Sequence, residues 1–197
     1  MVDLEENGVN ATIRLIDAPQ VGYSVRKSVG YQALSDYTRD QLFRHAQHEL
    51  DIDRAVTSYR DHRVHVCLYF VTAQELSHQD VQSLGELCKL TNIILVAGKA
   101  DMLTEEELQL QEKRILQQCK ENGIQLFDLE APRVFPVHRR SDLYEKEDGL
   151  ESVFIKKYLP VLIERSQSQH YRDLQQHLVK ESGTATINHA IESLTIH

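Results

Sequence analysis

The sequence contains no tryptophan, only three cysteines, and no apolar run near the roughly 18 residues that a membrane-spanning helix needs. Cys67, Cys88 and Cys119 lie too far apart for metal-ligand spacing, and their odd number does not indicate a disulfide framework. We interpret them as small buried apolar side chains in a reducing compartment. The first ten residues lack the apolar segment of a secretory signal, so a cytoplasmic location is expected.

Positive charge is also scarce. The chain has 22 Lys and Arg against 30 Asp and Glu, a formal net charge of -8. Generic nucleic-acid binding needs clustered basic residues, so this balance argues against it, and it gives no reason to expect contact with an anionic membrane. With 197 residues, 41% of them hydrophobic, the chain is long enough for one globular domain with one sizeable core.

Glycine is sparse and scattered. The phosphate cradle of nucleotide-binding proteins, G-x-x-x-x-G-K-[ST], occurs nowhere among the 197 residues. Its backbone amides, Lys and hydroxyl hold the phosphates and the magnesium ion, so without them a triphosphate has no site. We therefore expect no GTPase activity, no catalytic residue and no bound metal.

Short apolar runs alternate with longer amphipathic stretches along the chain. This alternation predicts an α/β fold in three layers, with a mostly parallel sheet and helices on both faces. The run at 63–71 is almost continuously apolar, which predicts a strand buried on both faces. Strands are predicted over 11–19, 63–71, 92–98, 124–129 and 133–137, and helices over 31–54, 77–90, 104–122 and 150–180, the last interrupted near Pro160 or at 166–169.

Local capping signals support two of these helices. Ser77 with Asp80 three positions later forms a weak capping box, and Thr104 is followed by three glutamates in the first turn of its helix. Asn122-Gly123 is a typical helix end. These signals predict where the helices begin and end.

The segment Gly98-Lys99-Ala100-Asp101 follows a buried strand and precedes a helix. A carboxylate at this place accepts two hydrogens from guanine, and the aliphatic stem of a Lys packs on the face of the ring. The segment therefore predicts a guanine-binding loop. An ordinary polar loop between a strand and a helix is the alternative interpretation.

A second segment, Asp17-Ala18-Pro19-Gln20-Val21-Gly22, follows the first predicted strand. GTPases place Asp-x-x-Gly here, where the Asp holds magnesium through water and the Gly amide meets the γ-phosphate. Gln20 stands at the Gly position, and its side chain would obstruct the approach of the phosphate. We interpret Asp17, Gln20 and Gly22 as a vestigial switch, or alternatively as a simple strand terminator.

These segments together resemble the septin family over roughly residues 11–128. DHRVHVCLYF at 61–70 is similar to the septin motif Asp-x-Arg-Val-His-x-Cys-Leu-Tyr-Phe, and the long helix at 31–54 is similar to the helix after the second septin switch. TNIILVAGKADMLTEEEL is similar to the strand that carries Ala-Lys-Ala-Asp, and DAPQVG replaces Asp-Thr-Pro-Gly-Phe-Gly.

The resemblance implies a septin-type P-loop NTPase domain that is truncated and lacks the first strand and the P-loop. It implies an acidic extension over 1–10, a partial domain over 11–181 and a poorly defined tail over 182–197. Other septins, or copies of the same chain, are the implied partners. Arg63 and His65 are then candidate interface residues, with His65 near the nucleotide-side interface; a core histidine with satisfied hydrogen bonds is the alternative for His65. The protein would belong to septin structures at the division site or the cell cortex.

Two alternatives remain open beside a non-catalytic septin-like interaction module. In the first alternative, the chain is one part of a GTP-binding septin whose P-loop half lies outside this sequence. GTP or GDP with Mg²⁺ would then be the ligand. The other alternative is a small α/β enzyme that uses histidines and carboxylates. His45 and His48 are one helical turn apart, but a solvated helix face explains them better than a metal site does.

Overall fold

The computed structural model describes residues 2–6, 9–18, 29–50, 61–127, 131–137 and 158–170. The helices and strands follow the predicted alternation over these ranges. They are, in chain order, β1 (Val2–Glu6), β2 (Val9–Ile13), α1 (Val29–Leu50), β3 (Val66–Val71), α2 (His78–Leu87), β4 (Asn92–Ala97), a 3₁₀ turn (Ala100–Met102), α3 (Glu105–Glu121), β5 (Val134–Pro136), α4 (Leu159–Arg165) and a π-helical segment (Ser166–His170).

The strands β3, β4 and β5 form a parallel sheet in that order. All six residues of β4 are buried because β4 is flanked on both edges and covered on both faces. Alternate residues of β4 point to opposite faces, so Ile93 and Leu95 join one core while Ile94 joins another. The first core includes residues of α2 and α3, and the second includes residues of α4. The predicted three-layer arrangement with helices on both faces is therefore confirmed.

Helix ends follow the local signals that the sequence carries. Ser77 and Asp80 form a complete capping box at the start of α2, and Thr104 and Glu107 form another at the start of α3. Gly123 has a φ of 65°, a left-handed conformation that ends α3 at little steric cost. Among the described residues, no helix has the length and apolar character to cross a membrane.

The first predicted strand is displaced. Strand β2 ends at Ile13 and pairs antiparallel with β1, so the prediction of a strand over 11–19 was wrong beyond residue 13. The ladder stops there because its register pairs Ile13 with Val2, near the start of β1. Strand β1 itself lies inside 1–10, which the sequence analysis placed before the domain. The outer limits 11–181 and 182–197 remain predictions.

The predicted strand at 124–129 is absent over 124–127, and residues 128 and 129 lie outside the described residues. The segment still packs as expected, since Ile124 and Phe127 are both buried. Only one backbone bond joins it to β4 in the described residues, from Phe127 N–H to Ile93 C=O at 2.8 Å. The rest of that edge of β4 pairs with β5, which leaves no room for a longer ladder.

Strand β3 differs from its prediction in burial. Its residues are as apolar as those of β4, yet the side chains from Val66 to Leu68 are only partly buried and Phe70 is 59% exposed. In the described residues β3 pairs only with β4, so its second edge has no neighbouring strand. The prediction that this strand is buried on both faces was therefore wrong, because burial depends on a neighbour that the strand's own sequence does not supply.

Candidate functional site

The predicted guanine-binding loop leaves the carboxyl end of β4 and is bound to both neighbouring strands. The N–H of Gly98 donates to the C=O of Val71 at 2.9 Å, and the N–H of Ala100 donates to the C=O of Val137 at 3.2 Å. Ala100 is fully buried and fixes the centre of the loop. The loop is thus held at the edge of the sheet where parallel α/β proteins bind ligands.

Lys99 has a left-handed backbone, with φ 59° and ψ 35°, and is the one non-glycine residue with positive φ in the described part of the chain. A side chain in this conformation costs roughly 1–2 kcal/mol, and such strain concentrates at ligand sites. The turn leaves the side chains of both Lys99 and Asp101 exposed. Within the described ranges neither side chain has a hydrogen bond or ion pair, so both are available to a ligand.

Gly98 follows β4 directly and lies close to the end of β3. A Cβ built on Gly98 would lie 3.2 Å from Cγ2 of Thr72 and 3.8 Å from Cδ1 of Phe70. Glycine therefore lets the backbone after β4 pass close to the side chains at the end of β3. The four residues of the loop, from Gly98 to Asp101, follow β4 directly, and their role in guanine binding stays a prediction.

The carboxyl edge is otherwise acidic. Asp101 is followed by three exposed carboxylates in the first turn of α3, from Glu105 to Glu107. Hydrogen bonds from the backbone and side chain of Thr104 hold the pKa of the Glu107 carboxyl below its ordinary value. The described residues that follow the loop thus present negative charge, which does not favour a bound phosphate.

Of the predicted vestigial switch, only Asp17 lies within the described residues, and it does not follow a strand of the parallel sheet. Asp17 lies in the exposed stretch 14–18, four residues beyond the end of β2. Strand β2 belongs to the antiparallel hairpin, so the expectation that Asp17 occupies the carboxyl end of a parallel strand was wrong. Gln20 and Gly22 lie outside the described residues.

Arg63 and His65 lie at the opposite end of the sheet from the loop. They precede β3, whereas the loop follows β4, and the two strands are parallel with Val66 beside Asn92 and Val71 beside Ala97. A strand of six residues spans roughly 20 Å. The expectation that His65 lies near the nucleotide side therefore conflicts with this register.

A carboxylate that the sequence analysis did not single out joins these two residues. Asp61 accepts hydrogen bonds from the N–H, Nε and Nη2 of Arg63, and its Oδ2 lies 3.3 Å from Nε2 of His65. Nδ1 of His45, on α1, lies 3.8 Å from Oδ1 of the same carboxylate. His45 is buried, so its assignment to a solvated helix face was wrong.

This cluster ties α1 to the start of β3. Burial alone would raise the pKa of Asp61, but hydrogen bonds from His65 and Arg63 outweigh burial and hold that pKa well below its usual range. The guanidinium of Arg63 is almost fully buried, and its Nη1 has no hydrogen-bond partner. The spacing Asp-x-Arg-x-His was the signal in the sequence, since alternate residues of an extended segment lie on one side.

The remaining candidate groups are the three cysteines and any cluster of metal-binding side chains. Burial raises the pKa of the Cys67 and Cys119 thiols to about 11, which keeps both thiols protonated. All three cysteines are free; Cys88 and Cys119 are buried as interpreted from the sequence, whereas Cys67 is only partly buried. No cluster of three or more His, Cys, Asp or Glu side chains suited to a metal ion occurs within the described ranges.

Comparisons with known proteins agree with the resemblance seen in the sequence. The septin family model matches residues 1–149. Septin-8 of Xenopus tropicalis is 32% identical over 127 residues, and septin-14 of Homo sapiens is 33% identical over 129 residues, each match covering 64% of this chain. The matched region spans only 30% of the length of either relative.

A solved structure shows the same fold. The crystal structure of Cdc11 from Saccharomyces cerevisiae superposes with a TM-score of 0.64 at 22% identity, covering 90% of this chain and 88% of that chain. Together with the family match, the parallel sheet and its two helix layers, this likeness confirms a septin-type α/β fold.

Proposed function

Because the chain belongs to the septin family, we propose that it acts as a non-catalytic protein-interaction module of the septin cytoskeleton. The observation that carries the proposal is the edge of β3 that has no neighbouring strand in the described residues. Six apolar or aromatic residues, typical of a central strand, form an edge on which Phe70 is 59% exposed. Such an edge is a ready template for another chain.

Hydrolysis of GTP is not part of this proposal. Phosphoryl transfer depends on positioned phosphates and on positive groups that stabilise the charge of the transition state. The sequence has no G-x-x-x-x-G-K-[ST], and the described carboxyl edge of the sheet presents Asp101 and the glutamates of α3. The loop Gly98–Asp101 is then a vestigial guanine site that the family fold retains.

The partners of such a module are other septins or further copies of the same chain. A partner that covers the apolar edge of β3 would pair its free backbone groups and bury its exposed apolar side chains. This role places the protein in the cytoplasm, with septin structures at the cell cortex or the division site.

Co-sedimentation with septin filaments tests the proposal. We would mix the purified chain with a recombinant septin complex, polymerise it at low salt and measure the fraction of the chain in the pellet. Saturable pelleting that depends on the septins is the expected result. Pelleting that is equal with actin filaments, or absent at every septin concentration, would refute the interaction role.

The geometry of the loop favours a second candidate function. In this candidate the chain belongs to a GTP-binding septin whose phosphate-binding half lies outside this chain. Lys99 and Asp101 are exposed, without other partners, and fixed by the buried Ala100. That is the arrangement a guanine site needs before its ligand arrives.

Titration with a fluorescent GTP analogue in Mg²⁺ separates the two candidates. The GTP-binding candidate predicts saturable binding that Asp101→Ala abolishes and Glu105→Ala leaves intact, since Glu105 is a neighbouring carboxylate outside the loop. The interaction module predicts no saturable binding to the isolated chain. Binding that Asp101→Ala leaves unchanged would contradict guanine recognition by the loop.

A further inference from the structure

We propose that His62 is a pH-sensitive hydrogen-bond acceptor that holds the stretch 14–18 at the start of β3 and releases it when the imidazole takes up a proton. The stretch 14–18 is exposed and follows β2, whereas His62 precedes the first residue of β3 by four positions. The inference concerns a contact inside the chain, so it depends neither on septin partners nor on the guanine-binding loop.

The contact joins two side chains that are 48 residues apart in the sequence. Nη1 of Arg14 lies 3.1 Å from Nδ1 of His62. A guanidinium group has hydrogen-bond donors only, so the imidazole nitrogen has to accept. An imidazole nitrogen accepts only when it carries no proton, and the contact therefore requires a neutral His62 with its proton on Nε2.

Little else holds the stretch 14–18 in place. Leu15 is 73% exposed and Ile16 is 48% exposed, so burial of apolar surface contributes little. Within the described ranges, the bond from Arg14 to His62 is the only hydrogen bond or ion pair that this stretch makes. When the bond is lost, only the chain connection to β2 still restrains the stretch.

Protonation of His62 converts this bond into a repulsion. Histidine is the side chain that ordinarily changes charge between about pH 5 and 8, and both ring nitrogens of the charged form are donors. The imidazolium then faces the guanidinium of Arg14. The adjacent carboxylate of Asp61 does not offset this repulsion, because it is already paired with Arg63 and His65. The contact therefore forms at the higher pH and is lost as pH falls.

His65 responds to acid in the opposite sense. Its Nε2 lies 3.3 Å from Oδ2 of Asp61, so a proton on His65 adds a positive charge beside a carboxylate. Burial alone would raise the pKa of Asp61, but hydrogen bonds from His65 and Arg63 hold that pKa well below its usual range. Asp61 thus stays charged between about pH 5 and 8 and keeps its contacts.

The two histidines together make the release local. The charged and titratable groups around His62 in the described residues are Arg14 from the stretch after β2, Asp61, Arg63 and His65 on its own segment, and His45 of α1, which lies 3.8 Å from the far side of Asp61. Acid removes the contact with Arg14 and leaves the pairs centred on Asp61. The start of β3 therefore stays attached to α1 while the stretch 14–18 is freed.

Backbone NMR relaxation of the full chain at about pH 7.5 and about pH 5.5 tests the inference. In the wild type, the amide order parameters of residues 14–16 should fall from near the rigid value of about 0.85 to below about 0.6, while those of 61–65 stay unchanged. His62→Asn places an acceptor oxygen near the position of Nδ1 but does not titrate, so residues 14–16 should stay ordered at both pH values. Arg14→Met removes the donor and should leave these residues flexible at both.

His78→Asn is the matched control. His78 is an exposed histidine that makes no hydrogen bond or ion pair in the described part of the chain, so this variant should keep the full wild-type response. Order parameters of 14–16 that do not change with pH in the wild type would overturn the inference. So would a pH response that persists in His62→Asn or disappears in His78→Asn. Loosening that extends to 61–65 would also overturn it, since the release would then not be local.

Discussion

Gln118 holds the backbone of Leu76 from two sides. Its Oε1 accepts from the N–H of Leu76 at 2.7 Å, and its Nε2 donates to the C=O of the same residue at 3.2 Å. Two turns earlier on α3, Nε2 of Gln111 donates to the C=O of Ala73 at 2.7 Å. Two amide side chains of α3 therefore satisfy the connection between β3 and α2, which lies at the same end of the sheet as the guanine-binding loop.

Gln118→Leu should lower the free energy of unfolding by about 1–3 kcal/mol, because the N–H and C=O of the buried Leu76 lose their partner. Urea unfolding measures the change. Gln117→Leu is the neighbouring control, since the amide of Gln117 bonds only to exposed Glu121 on the surface. Equal losses of unfolding free energy in the two variants would show that the hydrogen bonds between Gln118 and Leu76 contribute nothing specific.

Removing the charge of Asp61 should be costly near pH 7. Asp61→Asn leaves the buried guanidinium of Arg63 without its counter-charge, and we expect a loss of about 3 kcal/mol, at the lower end for a buried pair because the Asp61 carboxylate keeps some solvent access. Asp36→Asn breaks an exposed pair with Arg39 and should change stability by less than about 0.5 kcal/mol. A small effect at Asp61 would contradict the anchoring role.

The same carboxylate makes stability depend on pH. Its pKa in the folded chain lies below the ordinary value of about 3.9, so the unfolded chain takes up the proton first as the solution is acidified. The contribution of Asp61 is thus complete above about pH 5 and falls as pH drops below about 4. The difference between wild type and Asp61→Asn should shrink over this range in urea melts at successive pH values, and a constant difference would refute this linkage.

Two glycines should respond to alanine in opposite ways. Gly85 lies within α2 with nothing within 4 Å of an added Cβ, so Gly85→Ala should stabilise the chain by about 0.5–1 kcal/mol. Gly123 ends α3 with positive φ, so Gly123→Ala should destabilise it by about 1 kcal/mol. Thermal melts of both variants check the prediction, and a shift of the same sign in both would contradict it.

Gly98 and Thr72 should be energetically coupled. An added Cβ on Gly98 would lie 3.2 Å from Cγ2 of Thr72, so Gly98→Ala needs the threonine to move. Thr72→Ser removes this methyl group, and in that background Gly98→Ala should be better tolerated, by about 0.5–1 kcal/mol. A double-mutant cycle in urea measures the coupling, and purely additive effects would mean that the loop and β3 do not constrain each other.

Several features of the protein follow from the sequence alone, because neighbouring residues determine them. The capping boxes at Ser77 and Thr104 and the end of α3 at Gly123 are local hydrogen-bond and backbone effects, and the structure shows each of them. The position of the predicted guanine-binding loop at the end of β4 also follows from the sequence, since Gly-Lys-Ala-Asp comes directly after an apolar strand, whereas its ligand stays a prediction.

Only the tertiary structure decided which strand is central and which groups meet across the fold. Strands β3 and β4 look alike in sequence, but within the part of the chain that the structure describes only β4 has neighbours on both edges, and Phe70 of β3 is exposed. The contact between His45 and Asp61 likewise depends on residues distant in the chain. So does the absence of a strand at 124–127, because β5 pairs with that edge of β4. Backbone pairing and burial are properties of an arrangement, so a residue's own chemistry does not determine them.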